Sequence, residues 1–151
     1  MLDLIIKNGK CYIDGKLEEK DIAIKDGKIL KIGKISEECK DTYDAKDQTV
    51  LPGCIDTQTH FREPGSTDTE DLNSGSRAAI VGGITAVFEM PNTNPPTATK
   101  KEFQRKLDLA KNRMYCNYAF YFGATADNAN ELGELKNLEG CCGIKLFAGS
   151  S

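Results

Sequence analysis

The stretch that decides the fold is residues 54–65, which read CIDTQTHFREPG and contain the only histidine of the chain, His60. An apolar, β-branched segment leads into a cluster of polar groups, and a Pro-Gly pair then ends the run. Parallel strands of α/β sheets deliver functional side chains to their carboxyl ends in this way. Side chains two apart on a strand share a face. If the strand stays regular that far, Asp56, Gln58, His60 and Arg62 therefore share one polar face. The alternative is a strand end with solvated polar residues.

Composition excludes several classes of function. The chain has 151 residues, enough for one ordinary domain, and a formal net charge of −3 with no basic block of the kind that binds nucleic acid. No apolar run approaches the length of about 18 residues that a membrane span needs. The N-terminus is too short and too soon charged for a signal peptide. We therefore expect a cytoplasmic protein that binds neither nucleic acid nor a membrane.

The six cysteines form no Cys-x-x-Cys pair, and several lie in apolar, strand-like runs. Without a secretory signal they are predicted to be reduced and mostly buried thiols. The adjacent pair Cys141-Cys142 has the alternative of binding a metal, although neighbouring residues on a strand face opposite ways.

Residues 1–52 are predicted to form a small β-sandwich module. Two Asp-Gly pairs, at 14–15 and 26–27, stand between alternating apolar and polar runs, which is the signal of a hairpin with a type I′ turn. Lysines on the outer face favour an antiparallel sheet with one wet side. Residues 48–52 are read as one more strand.

From residue 53 the pattern changes to alternating strands and helices. Strands are predicted at 54–58, 84–90, 115–122 and 142–147, with helices after the capping-box spacings at Thr67 and Thr99 and a short third helix at 127–136. Such alternation indicates a parallel sheet. Four strands are half of an eight-stranded barrel, and a whole barrel takes about 250 residues. Residues 53–151 are therefore predicted to be the first half of a (β/α)8 barrel in an incomplete chain. A complete small open α/β sheet is the alternative.

One histidine limits the chemistry, because zinc usually has three or four protein ligands. No Gly-x-Ser-x-Gly elbow, dinucleotide fingerprint or phosphate loop is present. Lys145, at a predicted strand end, is either a reactive amine or a cation for an anionic ligand, or a lysine whose tip merely reaches water. Arg62 can grip a carboxylate, and Asn92 can add donors and an acceptor. A plain salt bridge and a turn former are the respective alternatives.

Three separated motifs resemble the dihydroorotases of the cyclic amidohydrolase superfamily, which has hydantoinases and allantoinases among its members. They are PGCIDTQTHFREPG at 52–65, EMPNT at 89–93 and GIKLF at 143–147. The resemblance implies a metal-bearing (β/α)8 barrel with a small β-sandwich, and hydrolysis of a cyclic amide that interconverts dihydroorotate and carbamoyl aspartate in pyrimidine synthesis.

The resemblance also implies roles for individual residues. His60 would be the second histidine of a zinc-binding His-x-His pair, and Arg62 and Asn92 would bind the substrate carboxylate. Lys145 is similar to a lysine that some members carry as a carbamate between two metals. The aspartate that acts as acid and base is expected beyond residue 151.

One departure puts the metal in question, because Gln58 stands where the first zinc histidine is expected. One zinc ion, two or none are then the alternatives. There are two alternative functions. One is a non-catalytic, dihydroorotase-like scaffold subunit, and the other is a hydantoinase- or allantoinase-like hydrolase. The open sheet edge and the family resemblance favour a homo-oligomer such as a dimer.

Overall fold

The structure, a computed structural model, describes the backbone of residues 1–149 and all their side chains except that of Lys136. Residues 150 and 151, which the predicted domain 53–151 includes, lie outside the described residues. The chain divides into two compact units, Met1–Pro52 and Gly53–Ser151. Among the described residues, no helix has the length and apolar character needed to cross a membrane.

The first unit is a five-stranded sheet. Its strands are β1 (Leu2–Ile13), β2 (Lys16–Lys25), β3 (Lys28–Gly33), β4 (Cys39–Asp44) and β5 (Thr49–Val50). The order is β3-β2-β1-β4, and β5 also pairs with β1. The aspartate and glycine of both predicted hairpin turns have positive φ, as a type I′ turn requires. Both hairpins are therefore confirmed.

The expectation of an antiparallel module is only partly right, because the sheet is mixed. Strands β4 and β5 run parallel to β1. The segment between β3 and β4 returns the chain to the beginning of β1, where Leu2 pairs with Cys39, so β4 must run in the same direction as β1. The strand expected at 48–52 is only two residues long, and Pro52, which has no N–H to donate to a ladder, lies beyond its end.

The second unit alternates strands and helices in the predicted order. Its elements are β6 (Cys54–Thr59), α1 (Leu72–Val81), β7 (Ile84–Glu89), α2 (Lys100–Ala110), β8 (Asn117–Gly123), a 3₁₀ segment (Ala129–Asn137) and β9 (Cys141–Lys145). All neighbouring strands are parallel, in the order β6-β7-β8-β9. The Tyr121 hydroxyl on β8 donates to the Thr57 carbonyl on β6, at 3.2 Å, across the strand between them. The sheet is therefore curled, as in half of a barrel.

Two helix predictions need correction. Helix α1 is capped by Asp71 and Ser74 and begins at Leu72, whereas the capping box expected at Thr67 lies in turns. The Asp71 side chain accepts the Ser74 amide at 2.6 Å, so the box one turn later prevails. The third helix is 3₁₀ rather than α-helical, and Gly133 in its middle is a poor helix former. Thr99 does cap α2, by accepting the Glu102 amide.

The core of this unit lies between the sheet and its helices. Phe103 of α2 packs against Phe120 and Phe122 of β8, with ring centroids 6.4 and 6.0 Å apart. Val87 of β7 and Leu72 of α1 are fully buried in the same cluster. Burial of this much aromatic and aliphatic surface fixes the strands, and hence the side chains that their carboxyl ends carry.

Candidate active site

The carboxyl ends of the parallel strands bring the predicted site residues to one edge of the second unit. Gln58 lies near the end of β6 and His60 follows it, Asn92 follows β7, and Lys145 ends β9. In α/β sheets this edge is where ligands bind, since loops and strand ends converge there.

His60 and Asn92 are in direct contact. The imidazole Nδ1 lies 2.9 Å from the Asn92 Oδ1 atom. An amide oxygen only accepts hydrogen bonds, so the neutral ring must carry its proton on Nδ1. The lone pair of Nε2 then remains for a cation or a proton. Asn92 therefore orients the histidine, and only its NH₂ group is left for a ligand.

The condition for a single polar face over residues 56–62, a strand that stays regular that far, is not met. Asp56 pairs with Val87 and Thr59 with Glu89, so three steps on β6 match two on β7. This irregularity breaks the alternation of β6 before its end. The strand ends at Thr59, so His60 and Arg62 lie on the following loop.

Arg62 is exposed, and its guanidinium makes no hydrogen bond or ion pair with any described residue. The backbone around it is nonetheless held, because the Ser66 amide donates to the Arg62 carbonyl at 2.8 Å. A cationic group on an anchored loop is well placed to meet an anionic ligand.

Lys145 is the last residue of β9. A bulge next to Cys142 shifts the register of β9, so that Gly143 pairs with Tyr121 and Lys145 with Gly123. The Lys145 ammonium lies 5.2 Å from the centre of the Phe147 ring, a cation–π contact. It has no carboxylate partner among the described residues.

Sequence reasoning missed Glu63, which is 7% exposed. Its carboxylate binds both terminal nitrogens of Arg113, at 2.8 and 3.0 Å, and accepts the Leu72 amide at 3.0 Å. It thereby ties the loop after β6 to the first turn of α1, whose amide has no partner within the helix. In the sequence, a glutamate beside a Pro-Gly pair indicated only a turn. Its partner Arg113 is distant in sequence, so no local pattern revealed the pair.

A second pair that the sequence did not reveal is Glu89 with Lys106. Both side chains are completely buried, and Nζ lies 2.8 Å from Oε2. The contact is an ion pair rather than a well-directed hydrogen bond, and Oε1 has no partner among the described residues. Burial raises the pKa of Glu89 to about 7 and lowers the pKa of Lys106.

The loops after β6 and β7 are also joined directly. The Asn94 amide donates to the Pro64 carbonyl at 3.0 Å. Gly65, with φ +122°, lies so close that a Cβ atom on it would be 2.8 Å from the Asn94 Cβ. The two loops that carry His60 and Asn92 therefore form one packed layer.

The metal expectation is not met by the described residues alone. His60 offers one imidazole nitrogen, Gln58 a neutral amide oxygen, and Lys145 an amine that binds a cation only after modification. No group of three His, Cys, Asp or Glu side chains converges among the described residues. This set is short of the three protein ligands of a catalytic zinc site.

The cysteines carry no metal site either. All six thiols are free; two are buried, three partly buried, and Cys54 is exposed. Burial raises the pKa of Cys142 to about 11, with the neighbouring Cys141 adding to the shift. Because a metal binds the thiolate, this thiol is a poor ligand.

Comparison with known proteins identifies what the chain is similar to. A model of the amidohydrolase family matches residues 49–141. Allantoinases of Escherichia coli and Salmonella choleraesuis are 40% identical over 146 residues, which is 96% of this chain and 32% of each relative.

Solved structures give the same picture. The L-hydantoinase of Arthrobacter aurescens matches with a TM-score of 0.91 and 32% identity, covering 100% of this chain and 34% of that one. A D-hydantoinase matches with a TM-score of 0.77 and 33% identity, covering 93% and 32%. The chain spans about a third of the length of these relatives. The predicted fold, the first half of an amidohydrolase barrel that a small β module precedes in the chain, is confirmed.

Proposed function

Because the chain belongs to the amidohydrolase family, we propose that the whole protein hydrolyses a cyclic amide, with a hydantoin-type ring as substrate. The relatives named above are allantoinases and hydantoinases, so they favour the hydantoinase- or allantoinase-like alternative over dihydroorotase as the main reading. The observation that carries the proposal is the His60–Asn92 pair at the carboxyl edge of a sheet that matches a hydantoinase.

Hydrolysis of such a ring adds water to a carbonyl carbon and breaks the carbon–nitrogen bond, and the leaving nitrogen takes up a proton. His60 presents its Nε2 lone pair to this edge, because Asn92 holds the proton on Nδ1. The Asn92 NH₂ group and the Arg62 guanidinium are the donors proposed to hold substrate oxygens.

Zinc dependence of the whole protein is part of this proposal, with His60 as one ligand. The further ligands, and the group acting as acid and base, would come from residues other than those described. Lys145 is the proposed candidate for a carbamate ligand, and Gln58 is the weakest member of the set.

Dihydroorotase activity is a second candidate, favoured by Arg62. Dihydroorotate carries a carboxylate, and the Arg62 guanidinium makes no ion pair with described residues. An arginine on an anchored loop is suited to bind such a group through two parallel hydrogen bonds.

The test is ring opening by the full-length protein with hydantoin, allantoin and dihydroorotate, with zinc supplied. We expect turnover of at least one of the first two, and a loss of about 100-fold or more in His60→Asn. Arg62→Met should lower kcat/KM for dihydroorotate selectively if that is the substrate. Absence of turnover with all three would reject the proposal and favour a non-catalytic scaffold. A homodimer and a cytoplasmic location remain predictions, and the mass of the native protein in solution tests the first.

A further inference from the structure

We infer that Lys106 is a positioning residue, which holds the end of β7 against the end of β6 so that Asn92 meets His60. No part of the sequence pattern assigns this lysine a role, and it lies on α2, outside the candidate site. The consequence for catalysis rests on the proposed function, whereas the effect on the backbone does not.

The first step is the burial of the Lys106 ammonium. Its side chain is 0% exposed, and Nζ has three neighbouring groups. It lies 2.8 Å from Oε2 of Glu89, 3.2 Å from the Met90 carbonyl oxygen and 5.2 Å from the centre of the Phe120 ring. A buried ammonium is costly unless each of its protons has a partner, so its position is narrowly defined.

The second step concerns the Met90 peptide, which links Lys106 to the candidate site through hydrogen bonds. Its carbonyl accepts from Lys106, and its amide donates to the Thr59 carbonyl at 2.9 Å. Thr59 immediately precedes His60, and Met90 lies two residues before Asn92. The Thr59 hydroxyl also donates to the Phe88 carbonyl at 3.1 Å. Lys106 therefore holds Met90, whose peptide sets the distance between the ends of β6 and β7.

The third step separates positioning from stability. Replacing a buried ion pair by apolar residues of similar size is often neutral or stabilising. The double variant Glu89→Met with Lys106→Met removes the ammonium from the Met90 carbonyl without leaving a buried charge. The matched control is Phe103→Leu, which removes buried volume from the same helix but keeps the Glu89–Lys106 pair and the Lys106 donor on Met90.

The readout is amide hydrogen exchange in the full-length protein, comparing Met90 with Ala124. The Ala124 amide donates to the Lys145 carbonyl, after β8 in the same unit. We expect exchange of the Met90 amide to be about 10-fold faster in the double variant, with Ala124 unchanged. Phe103→Leu should change the exchange of the two amides alike. For the proposed reaction, kcat should fall about 10-fold or more in the double variant only.

A role in stability alone would raise exchange at Met90 and Ala124 together, as Phe103→Leu does. That result, or an unchanged Met90 amide, would overturn the inference. If the double methionine variant does not fold, Glu89→Leu with Lys106→Met gives the same comparison, since neither side chain has a donor for the Met90 carbonyl. Loss of kcat without a change at Met90 would count against Lys106 and leave the proposed function standing.

Discussion

The Glu63 carboxylate receives both terminal nitrogens of Arg113, Nη1 at 2.8 Å from Oε1 and Nη2 at 3.0 Å from Oε2. The two residues are 50 positions apart in the chain. Their pairing fixes the loop that carries His60 and Arg62 to the chain that follows α2. A bidentate arrangement restricts direction as well as distance, so it defines the path of this loop.

Glu63→Ala should destabilise the protein substantially. The variant loses the Arg113 contact and the acceptor for the Leu72 amide, and a cost of about 2–4 kcal/mol is expected for removing a partly buried charged partner. Chemical denaturation measures the change. The control is Glu134→Ala, which breaks an exposed pair with Lys100 and should have little effect on stability, because solvent screens such a pair. Equal effects of the two variants would contradict the role given to Glu63.

Asn92→Ala should change the histidine rather than the fold. Loss of the Oδ1 acceptor frees the imidazole to place its proton on either nitrogen, and loss of such an orienting partner typically lowers activity about 10–100-fold. Asn92→Asp keeps an acceptor and should retain the Nδ1–H form. The ¹⁵N resonances of His60, assigned with a His60→Asn variant, measure this directly. An unchanged ring in Asn92→Ala would show that Asn92 does not orient it.

Glu89 should make stability depend on pH in a defined direction. Burial raises its pKa to about 7 from an ordinary 4.5, so the folded state holds a proton that the unfolded state has lost between these values. Its stabilising contribution is complete below the unfolded pKa and is lost as pH rises through the folded one. Lys106 opposes this shift, while Glu63 and Glu70 reinforce it.

We therefore compare wild type with Glu89→Gln from about pH 5 to about pH 8 by chemical denaturation. The stability of wild type relative to the variant should fall by a few kcal/mol over this range. A relative stability that stays constant over this range would mean that Glu89 is ionised throughout, so that its pKa is not raised.

Gly65→Ala should be costly. Gly65 has φ +122°, and a Cβ would approach the Asn94 Cβ to 2.8 Å and its carbonyl oxygen to 3.0 Å. Strain and overlap together should cost about 2 kcal/mol or more and loosen the loop after β7. Gly133→Ala is the control, since a Cβ there meets nothing within 4 Å. Comparable thermal midpoints for the two variants would refute the close packing of the two loops.

Gln58→His should strengthen zinc binding. Gln58 is exposed near the end of β6, two residues before His60, and an imidazole is a better zinc ligand than a neutral amide. We expect the zinc affinity of the full-length protein to rise about tenfold or more, measured by competition with a chelator. The control is Thr57→His, whose side chain is on the adjacent strand position. If both variants bind zinc as wild type does, Gln58 is not at a metal position.

Much of the fold was predictable because its signals are local. The Asp-Gly turns, the glycine pair that ends α1 and the Thr99 cap each depend on residues close in sequence, and all are observed. The direction of β4 and β5 was not predictable in this way. Both strands pair with β1, which is far away in sequence, so their direction depends on the path by which the chain returns to β1. The 3₁₀ segment likewise reflects a balance between propensity and packing that periodicity does not resolve.

The candidate site was predictable as a set of residue types and strand ends, but not as a set of contacts. His60 and Asn92 are 32 positions apart. The sequence predicted that both lie at one edge of the sheet, but not that they form a hydrogen bond. The bulges on β6 and β9 shift side chains between the faces of the sheet. The alternation of apolar and polar residues does not reveal where such bulges occur. Glu63 and Lys106 were missed because charged residues are ordinarily taken to be solvated, and their partners lie far along the chain.

The bond from the Tyr121 hydroxyl to the Thr57 carbonyl has a consequence for the shape of the concave face. In a flat sheet, strands two apart are separated by about 10 Å, which is more than a tyrosine side chain spans. This one phenol therefore limits how far β6, β7 and β8 can flatten. A phenylalanine in its place would release that limit, and the curvature of these three strands would no longer be restrained by this side chain.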